Sequence, residues 1–261
     1  MSLPVSPPLA GAYRRMAALS PLLRIEVGEP GDGDDWIAGH RLADPAVLER
    51  LVADEERRIE DAYGVPARRD VAATWVLHRY AFTVVLAMSG PWYLERRVPR
   101  LPPAGVRYGG RTRRLAVTAT DGVSCLAGDP LAAAPGVRAL DGEEALRAEL
   151  RAAVAGHLEP VLEAFRPLMR RGARAMWGLI TDELAEGLRH LGRRLGDEWA
   201  AARAADALLP GRTAPYAGAA GFRPDPDACG EPTRTRVGCC LFYTIRPEDT
   251  CATCPRRPPA A

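Results

Sequence analysis

The sequence contains no lysine, so all 35 of its basic residues are arginines. Arginine carries a planar, permanently charged guanidinium that suits carboxylates and other anions. The 33 acidic residues nearly offset the arginines and leave a net charge of only +2. So small an excess gives no support to a nucleic-acid-binding function, and we expect no nucleic-acid partner.

Sequence motifs for nucleotides and for hydrolases are also missing. The chain has no G-x-G-x-x-G and no G-x-x-x-x-G-K-[ST], so no site for a nucleotide, flavin or nicotinamide is visible. A G-x-S-x-G nucleophile motif is absent as well. The four histidines are too dispersed to suggest a metal triad: His40, His78, His157 and His190.

No hydrophobic run is long enough to predict a membrane span. Residues 71–94 come closest, but His78 and Arg79 interrupt them. The uncharged remainder is about fifteen residues, fewer than the roughly 18 that a span needs. We therefore expect a buried core helix and no transmembrane segment. No basic-then-apolar signal peptide is visible over residues 1–14, which favours a cytoplasmic location.

The N-terminal half predicts helices followed by a small sheet. Residues 1–40 contain scattered prolines and an acidic glycine loop, and we expect an irregular lead-in there. Asp44 is a predicted N-cap with Pro45 at the first helical position, for a helix that ends near Tyr63. A second helix is expected over 69–89, before Gly90 and Pro91. A hairpin with a glycine turn is expected over 106–118, and a third short strand over 123–126.

The second half returns to helical periodicity. A helix is expected from Glu143, with a kink or restart at Pro160. The clearest apolar stripe runs from Trp177 to Trp199 in steps of three and four, and we interpret it as core. Residues 205–232 are rich in proline and glycine and predict a linker. The chain is thus expected to be α+β, a mostly helical domain with a small antiparallel sheet.

Four cysteines lie within sixteen residues near the C-terminus, in a C-C-x10-C-x2-C pattern: Cys239, Cys240, Cys251 and Cys254. Four thiolates suit a soft metal centre, either tetrahedral zinc or an iron–sulfur cluster. Adjacent cysteines in extended backbone point to opposite faces, so the first pair is a poor zinc knuckle unless Gly238 helps to form a tight turn. A two-iron cluster offers thiolate positions on two irons, but structural zinc stays an alternative. Disulfides persist mainly in oxidising compartments and are not expected.

The cysteine pattern resembles the C-terminal [2Fe–2S] motif of the FhuF-like ferric-siderophore reductases. The segment from Arg174 to Gly178, which contains Trp177, is similar to the family's Trp-Gly-containing helix. The resemblance covers most of the chain after about residue 40. It implies that Cys239, Cys240, Cys251 and Cys254 all bind one [2Fe–2S] cluster. It also implies a siderophore-interacting domain over 1–225 and a cluster-binding segment over 226–261.

The function implied by the resemblance is a cytoplasmic ferric-siderophore reductase, which releases Fe(II) from a ferric siderophore by one-electron reduction. Because no flavin or nicotinamide motif is visible, electrons are expected from an external donor protein. Peripheral association with a membrane transporter is a further expectation. Two alternatives stay open: an iron–sulfur electron carrier without a substrate site, and a siderophore-metabolism binding protein with a structural four-cysteine zinc site.

The sequence also suggests roles for other residues near the clustered cysteines and for the two remaining cysteines. Arg234, Arg236 and Arg246 are expected to raise the local positive charge and to attract a siderophore that carries carboxylates. An apolar side of the site is expected from Leu241, Phe242, Tyr243 and Ile245. Cys125 lies in a predicted strand and is interpreted as a small buried hydrophobe. Cys229 is either a spare ligand or a free thiol.

Overall fold

The computed structural model describes residues 3–4, 7–21, 24–31, 35–226 and 228–256. These residues form six α-helices: α1 (Pro7–Leu19), α2 (Pro45–Tyr63), α3 (Arg69–Glu95), α4 (Glu143–Phe165), α5 (Ala173–Leu195) and α6 (Glu198–Leu208). They also form short strands: β1 (Leu3–Pro4), β2 (Ile25–Val27), β3 (Trp36–Ala38), β4 (Arg97–Pro99), β5 (Val106–Gly109), β6 (Arg114–Val117), β7 (Ala119–Thr120), β8 (Val123–Leu126), β9 (Val137–Leu140), β10 (Arg223–Pro224) and β11 (Pro232–Thr233). The α+β expectation is confirmed.

Helix α2 begins and ends where the sequence predicts. The Asp44 side chain accepts a hydrogen bond from the Ala46 N–H at 2.9 Å, and Pro45 occupies the first turn. Gly64 ends the helix in the left-handed conformation at φ 68°, which glycine adopts without steric cost. Local residues therefore determine both ends of this helix.

Helix α3 is the central helix of the core, and it packs against α1, α2, α4 and α5. It is the one described helix that is long and apolar enough to cross a membrane, but 78% of its most apolar window is buried inside the protein. The expectation of a buried core helix is confirmed.

The predicted end of α3 before Gly90 and Pro91 is wrong, because the helix continues to Glu95. Pro91 has no N–H to donate to the Ala87 carbonyl one turn earlier. The Tyr13 hydroxyl donates to that carbonyl instead, at 2.9 Å. Gly90 leaves room for the Met16 side chain, because a Cβ at this position would clash with the Met16 sulfur. Helix α1 thus compensates for the proline from a distant part of the sequence.

The strands form small mixed sheets rather than a purely antiparallel one. The predicted hairpin is present as β5 and β6, and its four-stranded sheet has the order β2-β6-β5-β3. In that sheet β2 pairs with β6 in parallel. The predicted third strand is β8, but it belongs to a separate sheet of order β4-β8-β9, in which β8 and β9 are parallel. The parallel pair β2–β6 joins distant parts of the chain, whereas β8 and β9 are joined by the short segment between them.

The irregular lead-in predicted over 1–40 is wrong for the described residues, which include α1, β2 and β3. Leu9, Tyr13 and Met16 of α1 are buried in the core, so tertiary packing stabilises a helix that the prolines obscured. The acidic glycine loop lies partly outside the described residues. The division of the chain at 225/226 stays a prediction.

The long helices of the second half differ from expectation at two points. Helix α4 continues through Pro160, where both Pro160 and Gly156 are exposed, so the freed carbonyl faces water. The stripe from Trp177 to Trp199 is not one helix, because Gly196 ends α5 at φ 79° and Trp199 lies in α6. Its central leucines are buried core as predicted, whereas both of its tryptophans are only half-buried.

One polar pair is buried in the core between α3 and α4. Nε2 of His157 lies 2.7 Å from the Tyr80 hydroxyl, and its Nδ1 lies 2.6 Å from the Leu101 carbonyl oxygen. A carbonyl only accepts, so Nδ1 carries the proton and Nε2 accepts from Tyr80. Burial lowers the pKa of His157 to about 4, although the hydrogen bond to Leu101 acts in the opposite direction. The histidine is a satisfied core residue, as its dispersion from the other histidines suggested.

Candidate iron–sulfur centre

The four predicted ligands lie on one loop region that follows β11. Cys239, Cys240 and Cys251 are partly buried, and Cys254 is buried at 6% exposure. The Cys254 N–H donates to the Cys251 carbonyl at 3.0 Å, which closes the C-x2-C turn. The Arg236 N–H donates to the Thr253 carbonyl at 2.9 Å and ties the two cysteine pairs together.

Three of the thiols interact with one another. Burial raises the pKa of Cys251 to about 12, and the charges of Cys240 and Cys254 act in the same direction, while Arg236 opposes them. Thiols that disfavour one another's ionisation become stable thiolates when a metal cation lies between them. The donor chemistry therefore fits an iron centre.

Cys239 adopts a different local geometry. Its sulfur accepts a hydrogen bond from the Leu241 N–H at 3.4 Å, and Leu241 takes the left-handed conformation at φ 65°. The tight turn after the adjacent cysteines is thus made at Leu241, not at Gly238 as the sequence suggested. Among the residues that the structure describes, no group of three or more His, Cys, Asp or Glu is arranged so that it could hold a metal ion. Cys240, Cys251 and Cys254 are near enough to interact, whereas Cys239 contacts the Leu241 N–H, so the binding of all four to one cluster stays a prediction.

Asp182 of α5 anchors the start of the loop. Its carboxylate accepts from the Val237 N–H at 2.9 Å and from the Gly238 N–H at 2.6 Å. It also pairs with Arg234 at 2.5 Å, and both side chains are fully buried. Burial raises the pKa of Asp182, whereas Arg234, Arg236 and the two N–H groups act to lower it. A carboxylate with this many donors is a fixed acceptor for the loop backbone.

The loop approaches α5 closely at two glycines. A Cβ at Gly238 would lie 3.1 Å from the Leu179 nitrogen and 3.2 Å from an Asp182 carboxylate oxygen. A Cβ at Gly178 would lie 3.0 Å from the Val237 side chain. Gly178, the glycine of the Trp-Gly segment singled out in the sequence, is therefore a point of α5 on which the loop rests.

The expectation of a free positive charge at Arg234 and Arg236 is wrong. Arg234 is buried and also donates to the Ala220 carbonyl at 2.8 Å. Arg236 pairs with Glu183 at 3.2 Å. Burial lowers the pKa of Arg236, but the charges of Glu183, Asp182 and Cys240 raise it above its ordinary value. These guanidiniums are neutralised by the acids of α5, so they hold the loop rather than recruit an anion.

The other residues near the cysteines take varied positions. Arg246 is exposed and pairs with Glu248 and Asp249. The apolar residues expected around the site pack against the core: Leu241, Phe242, Tyr243 and Ile245. Cys125 is fully buried in β8, as predicted. Cys229 is exposed and has no shown contact with the four predicted ligands.

Helix α3 contacts the loop through Trp75, which the sequence did not indicate. The Trp75 indole N–H donates to the Cys240 carbonyl at 2.9 Å. Its ring stacks on Phe242 with centroids 5.6 Å apart. Arg58 and Arg79 lie over the same ring at 5.7 Å and 5.4 Å. Trp75 thus joins the cysteine loop to the arginines of α2 and α3.

Sequence reasoning also missed the acidic residues of α5. Asp182 and Glu183 are almost fully buried, and the Glu183 carboxylate lies 2.5 Å from His78 Nδ1. The available signal was the polar run Thr181, Asp182 and Glu183 in the middle of an apolar stripe. Charges at such positions are rarely buried without partners, so they predict a buried ion-pair network.

Comparison with known proteins identifies the cysteine segment. Residues 236–256 match the family model described as FhuF 2Fe-2S C-terminal domain, and the match contains all four clustered cysteines. A search of curated proteins finds no match. This segment implies a [2Fe–2S] cluster as the cofactor, and the chain is consistent with a FhuF-like iron–sulfur protein.

Proposed function

We propose that this protein is a cytoplasmic ferric-siderophore reductase in which Cys239, Cys240, Cys251 and Cys254 hold the cluster. The match of residues 236–256 to the FhuF 2Fe-2S C-terminal domain carries the proposal. When bound, a [2Fe–2S] group supplies one electron at a time. One electron from an external donor protein converts the Fe(III) complex to Fe(II) and the iron-free siderophore. Fe(II) binds hard oxygen ligands far more weakly, so iron release draws the reduction forward.

The chain's own residues would hold the site in place. Asp182 holds the backbone on the N-terminal side of Cys239 through two N–H groups. Trp75 holds the Cys240 carbonyl from the opposite side and packs on Phe242. The Leu241 N–H donates to the Cys239 sulfur, and hydrogen bonds to ligand sulfurs are one means by which a protein tunes cluster potential.

The ligand assignment is tested by single alanine variants of the six cysteines. Anaerobically purified protein should be red-brown, with roughly two irons and two sulfides per chain. Alanine at any of the four clustered cysteines should remove most of the visible absorption. Cys229→Ala is the matched control, because Cys229 is an exposed cysteine outside the family match; it and Cys125→Ala should keep the colour. Stoichiometric zinc in protein from iron-replete cells, or bleaching by Cys229→Ala but not by Cys239→Ala, would contradict the assignment.

The reductase activity is tested by stopped-flow mixing of dithionite-reduced protein with ferric hydroxamate, catecholate and carboxylate complexes. A reductase should be reoxidised at rates that saturate with the complex and differ among the three classes. A ferrous chelator should speed net turnover, since each roughly 59 mV of unfavourable potential costs about a tenfold in a one-electron equilibrium. Rates that stay linear for every complex, without preference, would indicate an electron carrier instead.

A further inference from the structure

A cavity of about 900 Å³ lies beside α2 and α3, near the four-stranded sheet. Sites for small molecules in proteins commonly measure roughly 300–1,000 Å³. Its lining includes five arginines: Arg50, Arg57, Arg58, Arg79 and Arg111. We propose that this cavity, hereafter the arginine cavity, binds a negatively charged iron(III) chelate that carries carboxylates. The proposal rests on the reductase function and specifies its substrate class and binding site.

The arginine cavity combines an apolar floor with a cationic rim. Four of its apolar or aromatic residues are buried: Ile37, Leu51, Val76 and Tyr108. Five arginines and four acidic residues line it, and Arg113 adds a positive charge within electrostatic reach of Glu55. The rim therefore carries an excess of guanidinium groups, which bind carboxylates with two parallel hydrogen bonds.

Most acids of the lining are already engaged by its arginines. Asp54 pairs with Arg57, Asp35 pairs with Arg111, and the buried Glu55 pairs with both Arg58 and Arg79. Arg50, in contrast, has no ion pair or hydrogen bond among the residues that the structure describes. It is the guanidinium most available to an incoming anion.

The position of the arginine cavity links it to the cysteine loop. Arg58 and Arg79 line the cavity, and the guanidinium of each also lies over the Trp75 ring. Trp75 in turn donates to the Cys240 carbonyl at 2.9 Å. One aromatic side chain therefore separates the cavity wall from a predicted cluster ligand. A chelate bound there would lie close to the redox centre without displacing the loop.

The test uses gallium(III) chelates, because gallium(III) replaces iron(III) but is not reduced, so binding is measured apart from electron transfer. Holoprotein is titrated by calorimetry with anionic gallium(III) citrate and with a gallium(III) trihydroxamate that has no carboxylates. We expect tighter binding of the citrate complex, weakened by added salt. Arg50→Gln should weaken citrate-complex binding by about tenfold, the effect of one lost charge-assisted hydrogen bond.

The matched control is Arg174→Gln, an exposed arginine that lines a separate cavity of about 390 Å³. It should leave the affinity unchanged, and neither variant should alter the visible spectrum. Equal affinity in wild type and Arg50→Gln, or a loss caused by Arg174→Gln instead, would overturn the assignment of the arginine cavity. If the protein reduces ferric complexes normally but does not bind the gallium(III) citrate complex, this proposal is refuted and the reductase function stands. If binding depends on Arg50 but no ferric complex is reduced, the binding site in the arginine cavity is supported and the reductase function is refuted.

Discussion

Replacement of Asp182 by asparagine should destabilise the protein by about 3–5 kcal/mol, the usual cost of breaking a buried ion pair from one side. The side chains of Asp182 and Arg234 are both fully buried, so water cannot solvate the guanidinium, which would keep only its longer ion pair with Glu186 at 3.3 Å. Asparagine keeps the shape but removes the charge, and its amide can accept fewer of the hydrogen bonds from Val237 and Gly238. The loss should therefore affect both the global fold and the cysteine loop.

The measurement is urea unfolding of holoprotein under anaerobic conditions, followed by circular dichroism and by visible absorption. Asp249→Asn is the matched control, since Asp249 pairs with Arg246 at 3.1 Å but the two side chains are 58% and 41% exposed. Exposed pairs contribute about 0–1 kcal/mol. A free energy of unfolding for Asp182→Asn within about 1 kcal/mol of wild type, like the control, would refute the assignment of Asp182 as a buried anchor.

A double variant separates the two roles of Asp182. Asp182→Leu with Arg234→Leu removes both charges, and apolar replacement of a buried ion pair is often neutral or stabilising. Global stability should therefore recover much of the loss. The backbone N–H groups of Val237 and Gly238 would still lack their acceptor, so the visible absorption should disappear at lower urea than in wild type. Simultaneous recovery of both signals would show that Asp182 stabilises the fold without positioning the loop.

Two further predictions concern the core histidine and the loop glycine. Burial lowers the pKa of His157 from 6.5 to about 4, so the stability it contributes is lost as pH falls between those values. Between pH 7 and pH 5 wild type should lose about 2 kcal/mol more in free energy of unfolding than His157→Gln, which cannot titrate. Gly238→Ala should reduce cluster content measured as iron and sulfide per chain, because its Cβ would press on Asp182 at 3.2 Å.

Each of these predictions has a clear contrary result. Parallel pH profiles of wild type and His157→Gln would show that the histidine is not held neutral in the core. For the loop, Gly230→Ala is an informative comparison, because a Cβ there meets nothing within 4 Å although the residue has φ 76°. It should reduce stability through backbone strain while leaving the cluster content unchanged. A normal iron and sulfide content in Gly238→Ala would mean that the loop can move away from α5 at little cost.

The parts of the fold that the sequence predicts correctly are those specified by neighbouring residues. Asp44, Pro45 and Gly64 set the ends of α2, and the β5–β6 hairpin joins neighbouring strands, although Arg113 rather than a glycine takes the left-handed conformation in its turn. The errors occur where a distant residue supplies a missing interaction. Tyr13 satisfies the carbonyl freed by Pro91, which the local pattern around Pro91 cannot reveal. Parallel pairing of β2 with β6 likewise joins residues ninety positions apart in the sequence, such as Ile25 and Leu115.

The same distinction applies to the candidate site. Cysteine spacing is a local feature: it predicts a soft metal centre, and its resemblance to a known family motif predicts the [2Fe–2S] segment that the family match bears out. The residues that hold the segment are distant from it in sequence. Trp75 and Cys240 are 165 positions apart, and Asp182 and Gly238 are 56 positions apart. The hydrophobic periodicity of a single segment cannot predict contacts between residues so far apart in sequence. The one signal in the sequence was the polar run around Asp182 within an apolar stripe, and the sequence analysis did not use it.

The arginines show why sequence proximity is a poor guide to electrostatic function in this protein. Arg234 and Arg236 lie close to the cysteines in sequence, yet their side chains are buried in ion pairs with acids of α5. The arginine cavity draws its cations from helices that are far from the cysteines in sequence, and Trp75 brings those helices to the loop. A protein that must retain a loop and also attract an anion benefits from assigning the two tasks to different arginines. Removing Arg50 should then affect ligand affinity alone, whereas removing Asp182 should affect loop retention and stability.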